Sequence, residues 1–228
     1  MLLVENWMNP HVITVDADDS MLDATKILKE HNIRHLPVLE KGKLVGIITD
    51  RDLKRASPSD ATALEAHELL YLIANIKVRE IMTTNPITVP YNFTIEEAAQ
   101  ILLQAKISGM PVVDKDGNVI GTITQTDLFK VLISLTGVGK KGVQFAFLLE
   151  DRPGSIKEVT DIIRSYGGRM ASILSSYEKA PEGHRYAYIR MYDVDREKIG
   201  QLKEDLKKNA KMLYIVDSRE NKREIFAS

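Results

Sequence analysis

Apolar positions in the first 135 residues recur in two passes through the same order of periods. Leu22, Ala24, Ile27, Leu28 and His31 fall on one face of a 3.6-residue repeat, and Ile95, Ala98, Ile101, Leu102 and Ala105 do so again. A short strand precedes each helix (Ile13-Thr14-Val15; Ile87-Thr88-Val89), and two more follow: Leu36–Leu39 with Leu44–Thr49, then Met110–Val113 with Val119–Thr124. Gly42 and Gly117 stand in the turns between the paired strands, where a hairpin wants a residue tolerant of positive φ. Ser20-x-x-Asp23 and Thr94-x-x-Glu97 have capping-box chemistry at the helix starts, and further helices are predicted from near Asp52 and Asp127. Met8–Leu53 aligns with Met82–Leu128 with one inserted residue, so the pattern is a β-α-β-β-α unit written twice.

Beyond the second copy the periods change. Ser57-Pro58-Ser59-Asp60 breaks the first repeat's last helix, and Leu64, Leu69, Leu72 and Ile73 suggest one more helix before the second repeat. The stretch 136–142, with Gly137, Gly139 and Gly142, reads as a flexible junction and a natural hinge. Then come a strand Val143–Glu150, a helix Pro153–Tyr166, strands Arg169–Tyr177 and His184–Tyr192, a helix carrying Ile199, Leu202 and Leu206, and a strand Leu213–Val216. That order is the ferredoxin-like split β-α-β-β-α-β motif. The expected class is therefore α+β. Its divisions are a first repeat at 1–56, a connector at 57–77, a second repeat at 78–136, a linker at 137–142, a C-terminal module at 143–217 and a polar tail at 218–228.

Composition narrows the chemistry. With 31 Lys and Arg against 32 Asp and Glu, the net charge of −1 gives no global electrostatic case for nucleic acid or a membrane surface. The absence of cysteine removes disulfides, thiolate nucleophiles and Cys-type zinc sites. The start Met1-Leu-Leu-Val-Glu-Asn reads as no signal peptide and the apolar runs are too short for a bilayer, so a cytoplasmic protein is expected. His11, His31, His35, His67 and His184 show no metal-ligand spacing, and no nucleophile elbow or acid–base constellation stands out; no catalytic residue and no metal site are expected. The string Gly137-x-Gly139-x-x-Gly142 matches a dinucleotide fingerprint but follows a helix and precedes a strand, the reverse of the required context.

Both repeats end in Gly-x-x-Thr-x-x-Asp, at Thr49 and Asp52 and at Thr124 and Asp127, where a strand hands over to a helix. Such a pair either caps the helix or, as a carboxylate beside exposed amide hydrogens, takes a ribose diol and nearby phosphate. These motifs, with Val78-Arg-Glu-Ile-Met82-Thr-Thr-Asn-Pro86-x-Thr88-Val89 and the strands at Pro37-Val38 and Pro111-Val112, resemble a tandem pair of cystathionine-β-synthase (CBS) domains over residues 4–135. The resemblance implies a binding module for adenine nucleotides or adenosyl compounds, with AMP, ADP, ATP or S-adenosylmethionine as candidate regulatory ligands. It also implies that Asp52 and Asp127 hold ribose, with Thr49 and Thr124 near ribose or phosphate. Thr14 and Thr88, and the turns Ile33-Arg34-His35 and Ile107-Ser108-Gly109, would frame base and phosphates. Arg34-His35 in one copy is replaced by Ser108-Gly109 in the other; either the copies bind unequally, the cation favouring phosphate, or the first pair is a solvated turn.

In the C-terminal module, Asp151-Arg152-Pro153-Gly154-Ser155-Ile156 joins the first strand to the first helix, with Pro at the helix start and Gly for a tight approach. In a ferredoxin-like order this loop resembles that of ACT domains, which implies either an effector site or dimerisation alone. In the former, Asp151 would take an amino acid's ammonium and the amides of Gly154, Ser155 and Ile156 its carboxylate. The combination resembles acetoin-utilisation proteins of the B type. The function expected is a non-catalytic, homodimeric ligand sensor acting on another protein; the alternative is an assembly protein with empty sites.

Overall fold

The computed structural model describes residues 1–57 and 66–226, which divide into two compact units, Met1–Phe129 and Lys130–Ser228. The first runs through β1 (Val15–Asp16), α1 (Met21–Glu30), β2 (His35–Glu40), β3 (Lys43–Thr49), α2 (Asp50–Ala56), α3 (Ala66–Asn75), α4 (Val78–Ile81), β4 (Thr83–Thr84), β5 (Val89–Pro90), α5 (Ile95–Ala105), β6 (Gly109–Val113) and β7 (Val119–Thr124), and enters α6 (Gln125–Thr136). The duplicated β-α-β-β-α order is as expected. The leading strands are shorter than the sequence suggests, and Pro58 to Leu64, part of the expected helix break and connector, lie outside the described residues.

Each repeat starts its first helix on a capping box. Ser20 Oγ accepts from the Asp23 amide at 3.1 Å and Thr94 Oγ1 from the Glu97 amide at 3.2 Å, while both acidic side chains reach back to the cap amide. Met21, Ala24 and Leu28 of α1 are buried in one cluster with Leu36, Val38 and Ile48, and the matching Ile95, Ala98 and Leu102 of α5 and Met110, Val112 and Ile123 of β6 and β7 are buried as well. His31 stands apart from that face as the exposed cap residue of α1. Gly42 (φ +79) and Gly117 (φ +81) turn the hairpins in the left-handed region.

The sheets hold a feature that the repeat pattern does not announce. The first is ordered β1-β2-β3-β4, and β4 belongs to the leading segment of the second repeat. Reciprocally, Asn9 from the start of the chain bridges Thr122 of β7, with amide–carbonyl bonds of 2.9 and 3.0 Å. Each repeat's leading segment thus completes the other repeat's sheet. Gly46 and Gly121 make the crossings possible: a Cβ on Gly46 would sit 2.4 Å from Met82 Sδ and 3.1 Å from the Thr83 carbonyl oxygen. One on Gly121 would meet Met8 Sδ and the Asn9 carbonyl at the same distances.

The second unit contains β8 (Val143–Glu150), α7 (Ser155–Ser165), β9 (Arg169–Ser176), β10 (His184–Tyr192), α8 (Ile199–Asn209), β11 (Lys211–Asp217) and β12 (Lys222–Ile225). The order β12-β11-β8-β10-β9 is antiparallel throughout and contains the expected β-α-β-β-α-β arrangement. Phe145, Phe147, Ile189 and Met191 on the sheet are buried with Val159 and Ile163 of α7 and Leu202 and Leu206 of α8. Within the stretch expected as a polar tail, Lys222–Ile225 instead forms β12 on β11, with Phe226 against the core and the Lys207 ammonium 4.1 Å from its ring centroid.

The glycine-rich stretch is also more constrained than a flexible linker. Val138–Lys140 forms a 3-10 turn, and a Cβ on Gly142 would fall 1.8 Å from the Met191 carbonyl oxygen. Nearby, Arg190 is 6% exposed. It donates to the Thr136 carbonyl oxygen (2.9 Å), Ser218 Oγ (3.1 Å) and Gln144 Oε1 (2.5 Å), all neutral acceptors.

Candidate functional site

Strands β3 and β7 run out at Thr49 and Thr124, whose extended backbone ends the strand so that the threonine becomes the residue before a helix. Asp52 Oδ2 accepts from the Thr49 amide at 2.9 Å and from Thr49 Oγ1 at 2.7 Å; Asp127 Oδ2 accepts from the Thr124 amide at 3.0 Å and from Thr124 Oγ1 at 2.7 Å. Both aspartates are 8% exposed. The capping reading is therefore correct for both motifs, and it orients two buried carboxylates through hydrogen bonds to Oδ2. Asp52 Oδ1 takes Arg55 Nη2 at 2.8 Å, but that arginine side chain is 77% exposed, so the pair adds little and is easily exchanged.

The turns named from the sequence lie at these helix starts. The Asp50 amide donates to the Arg34 carbonyl oxygen (3.3 Å). The Gln125 amide donates to the Ser108 carbonyl oxygen (3.0 Å), and Gln125 Nε2 to that of Ile107 (3.2 Å). Thr14 and Thr88, both half-buried, immediately precede β1 and β5, which pair in parallel with β2 and β6. Ile33 and Ile107 are half-buried, while Arg34 and Ser108 are exposed. Turn and Thr–Asp pair thus come together in each repeat, with the leading threonine beside the adjoining strand.

The difference between the copies has a steric component that the sequence reading missed. His35 Nε2 lies 2.9 Å from Ser108 Oγ, and a Cβ on Gly109 would come within 3.1 Å of the His35 ring and of Thr124 Cγ2. One imidazole fills a place where the matching residue of the other repeat must be small. Burial pushes His35 below the usual histidine range; Asp50 opposes the shift, while Arg34 and Arg51 reinforce it.

In the second unit, Gly154 (φ +91) precedes α7 without a side-chain cap, and no atom lies within 4 Å of where its Cβ would be. Positive φ, not the expected close approach, is what requires glycine there. Ser155 is buried, and Ile156 packs against the core. Arg152 is held by Glu150 (3.0 Å) and by both Glu158 oxygens (2.8 Å each). Asp151 lies instead beside Tyr177 and Arg185, two residues with no motif to mark them; only the β8–β10 register and the fold of the 177–183 loop bring them in. Among the described residues no group of His, Asp and Glu could hold a metal ion, and no helix is long and apolar enough to cross a membrane.

Comparison with known proteins agrees with the duplicated geometry. The family model of the CBS domain matches residues 4–59 and 78–134. A CBS domain-containing protein of Dictyostelium discoideum is 36% identical over 135 residues, 59% of this chain and 93% of that protein. The CBS-pair protein CBSX2 of Arabidopsis thaliana is 30% identical over 57% of this chain and 94% of its own, with a TM-score of 0.51. CBSX2 is also known in complex with AMP, a structure that aligns with a TM-score of 0.48. A Vibrio cholerae protein named for acetoin utilization (AcuB) is 28% identical over 61% of this chain and 96% of its own, with a TM-score of 0.51. Two matched repeats, each completing the other's sheet and each ending in the same capped Thr–Asp pair, therefore make this chain a member of the CBS-domain family, with its tandem pair in the first 134 residues.

Proposed function

We propose that the CBS pair is a non-catalytic sensor of an adenine nucleotide or adenosyl compound, with AMP, ADP, ATP and S-adenosylmethionine as the ligands to test. The observation that carries the reading is the pair of buried carboxylates, Asp52 and Asp127, each oriented by its own Thr beside a turn. A carboxylate held in this way accepts hydrogen bonds from the two hydroxyls of a ribose without first having to be ordered. The similarity to CBSX2, itself known with AMP, supports the same class of ligand. In this reading Thr14, Ile33, Arg34, His35, Thr49 and Asp52 form one site, and Thr88, Ile107, Ser108, Gly109, Thr124 and Asp127 the other. Only the first carries an exposed arginine in its turn, so a phosphorylated ligand favours it.

The C-terminal unit has the strand order and one-sided helices of a ferredoxin-like fold, which supports its reading as an ACT domain that binds a small effector, dimerises, or does both. The proposed assembly is a homodimer whose regulated target is another protein. Exposed Phe129, Leu132 and Ile133 on α6 favour self-association, since apolar side chains grouped on one helix gain by being covered.

Thermal denaturation of the full chain, first freed of carried-over nucleotide, tests the sensor reading. At a ligand concentration about 100-fold above Kd, stabilisation of about 2.7 kcal/mol is expected. Asp52→Ala and Asp127→Ala each lower basal stability by about 1 kcal/mol through the lost cap. The relevant readout is therefore the ligand-induced increment, with stoichiometry from calorimetry. No increment with any of the four compounds in wild-type protein rejects the reading, and full binding in both variants rejects the carboxylate assignment.

A further inference from the structure

Arg185, the second residue of β10, has an unmet hydrogen bond at the loop before α7. It alternates onto the same side of the sheet as buried Ala187 and Ile189. Its Nη2 donates to Ser155 Oγ at 3.1 Å and its Nη1 reaches Tyr177 Oη at 3.5 Å, but its Nε is shielded from solvent and has no hydrogen-bond partner. The nearest carboxylate oxygen, Asp151 Oδ1, stands 3.7 Å from that Nε, beyond hydrogen-bonding distance, and accepts instead from Tyr177 Oη at 3.3 Å. Well-formed Arg–carboxylate pairs are shorter and use parallel N–H groups. The same loop shows the contrast: Arg152 grips Glu158 in that bidentate way, whereas Arg185 only faces Asp151.

The surroundings make the loose pair more telling. Gly154 supplies no side-chain cap to the 11-residue α7, so a guanidinium lies bonded to the first residue of a helix whose N-terminal end is itself positive. Two positive features converge, and Asp151, the one carboxylate among the described residues at ion-pair distance from Arg185, is held off at 3.7 Å and is 44% exposed.

We propose that Arg185, with Tyr177, recognises the carboxylate of a small amino acid at this loop, and that Asp151 is a stand-in which that carboxylate displaces. Once displaced, Asp151 turns to the ligand's ammonium, so one exchange satisfies Nε and sets both ends of the ligand. The inference rests on reading residues 151–156 as an effector loop and adds the residue that selects the ligand's acid group.

The test is calorimetric titration of the full chain with the proteinogenic L-amino acids, their α-carboxamides, butyrate and inorganic phosphate. At least one amino acid binds wild-type protein, and its carboxamide binds about tenfold or more weakly. Arg185→Gln weakens the amino acid by about 10- to 100-fold while Arg185→Lys recovers part of the loss. Asp151→Ala weakens the amino acid but strengthens butyrate, which has no ammonium; a purely structural Asp151 moves neither in that opposed way.

Binding that tolerates both the carboxamide and Arg185→Gln overturns the Arg185 assignment and leaves the effector loop standing. No binding of any probe to folded wild-type protein rejects the loop reading and the assignment with it. Arg185-dependent binding of phosphate alone replaces the amino acid with an oxyanion and overturns the proposal. If Arg185→Gln fails to fold by circular dichroism, the carboxamide comparison and the opposed Asp151→Ala effects decide.

Discussion

Replacing Gly46 or Gly121 with alanine tests whether the exchanged leading segments hold the CBS pair together. The added methyl group would lie 2.4 Å from a methionine sulfur, 3.0 Å from its Cγ and 3.1 Å from a backbone carbonyl oxygen: Met82 and Thr83 in one case, Met8 and Asn9 in the other. A methionine end can swing aside because it is unbranched and flexible, but the carbonyl belongs to the crossing chain and moves only with it. Overpacking costs about 1–3 kcal/mol, and the mobile sulfur puts each variant near the lower end, about 1–2 kcal/mol. In urea, with a slope of roughly 2 kcal/mol/M, the midpoint should fall by about 0.5–1 M with the slope unchanged. Met82→Ala should cost less in the Gly46→Ala background than in wild-type protein, because the first change removes the clash partner. An unchanged midpoint in Gly46→Ala, or an equal cost of Met82→Ala in both backgrounds, refutes the account.

Two other changes read out separate parts of the chain. Because burial lowers the His35 pKa, the folded state prefers the neutral ring; its contribution is full above the ordinary histidine value of about 6.5 and declines as pH falls through the window below it. Thermal melts across that window should show a flatter pH dependence in His35→Asn, and an identical slope rules out a linked titration at this residue. Phe226→Ala should destabilise the C-terminal unit by about 1–3 kcal/mol, since the ring is partly buried against the core at the end of β12. A change within about 0.5 kcal/mol by urea titration would return the last residues to the status of a tail.

Most of the architecture was legible because it rests on local periodicity. The helix faces, the glycine turns and both capping boxes recur in matched places, and β8 and β10 have the limits expected of them. The Thr–Asp pairs were legible as motifs, yet their two readings are not rivals: the cap is what orients the carboxylate. What escaped depends on contacts distant in sequence. Nothing near Met8 or Met82 says which sheet it completes, and the signal lies in Gly46 and Gly121, whose missing side chains are ordinary in any strand. The His35–Gly109 match reads as a charge difference until the two turns are seen to touch. Strand β12 was hidden because all four of its residues are exposed, so alternation between a buried and a solvent face, the usual mark of a strand, is absent. Arg185 and Tyr177 join Asp151 only through strand register.

Arg190 bears on where the C-terminal module can be cut. Its side chain is buried and, among the described residues, bonds to no carboxylate; one of its acceptors is the carbonyl of Thr136, at the negative end of α6. A fragment begun at Val143, where the strand pattern starts, would keep the cation and discard that acceptor. Leaving a buried donor unmatched costs about 1–3 kcal/mol, a sizeable part of a small domain's total stability. The smallest self-sufficient gene segment for this module therefore starts upstream of Thr136, inside a helix that the sequence assigns to the preceding repeat.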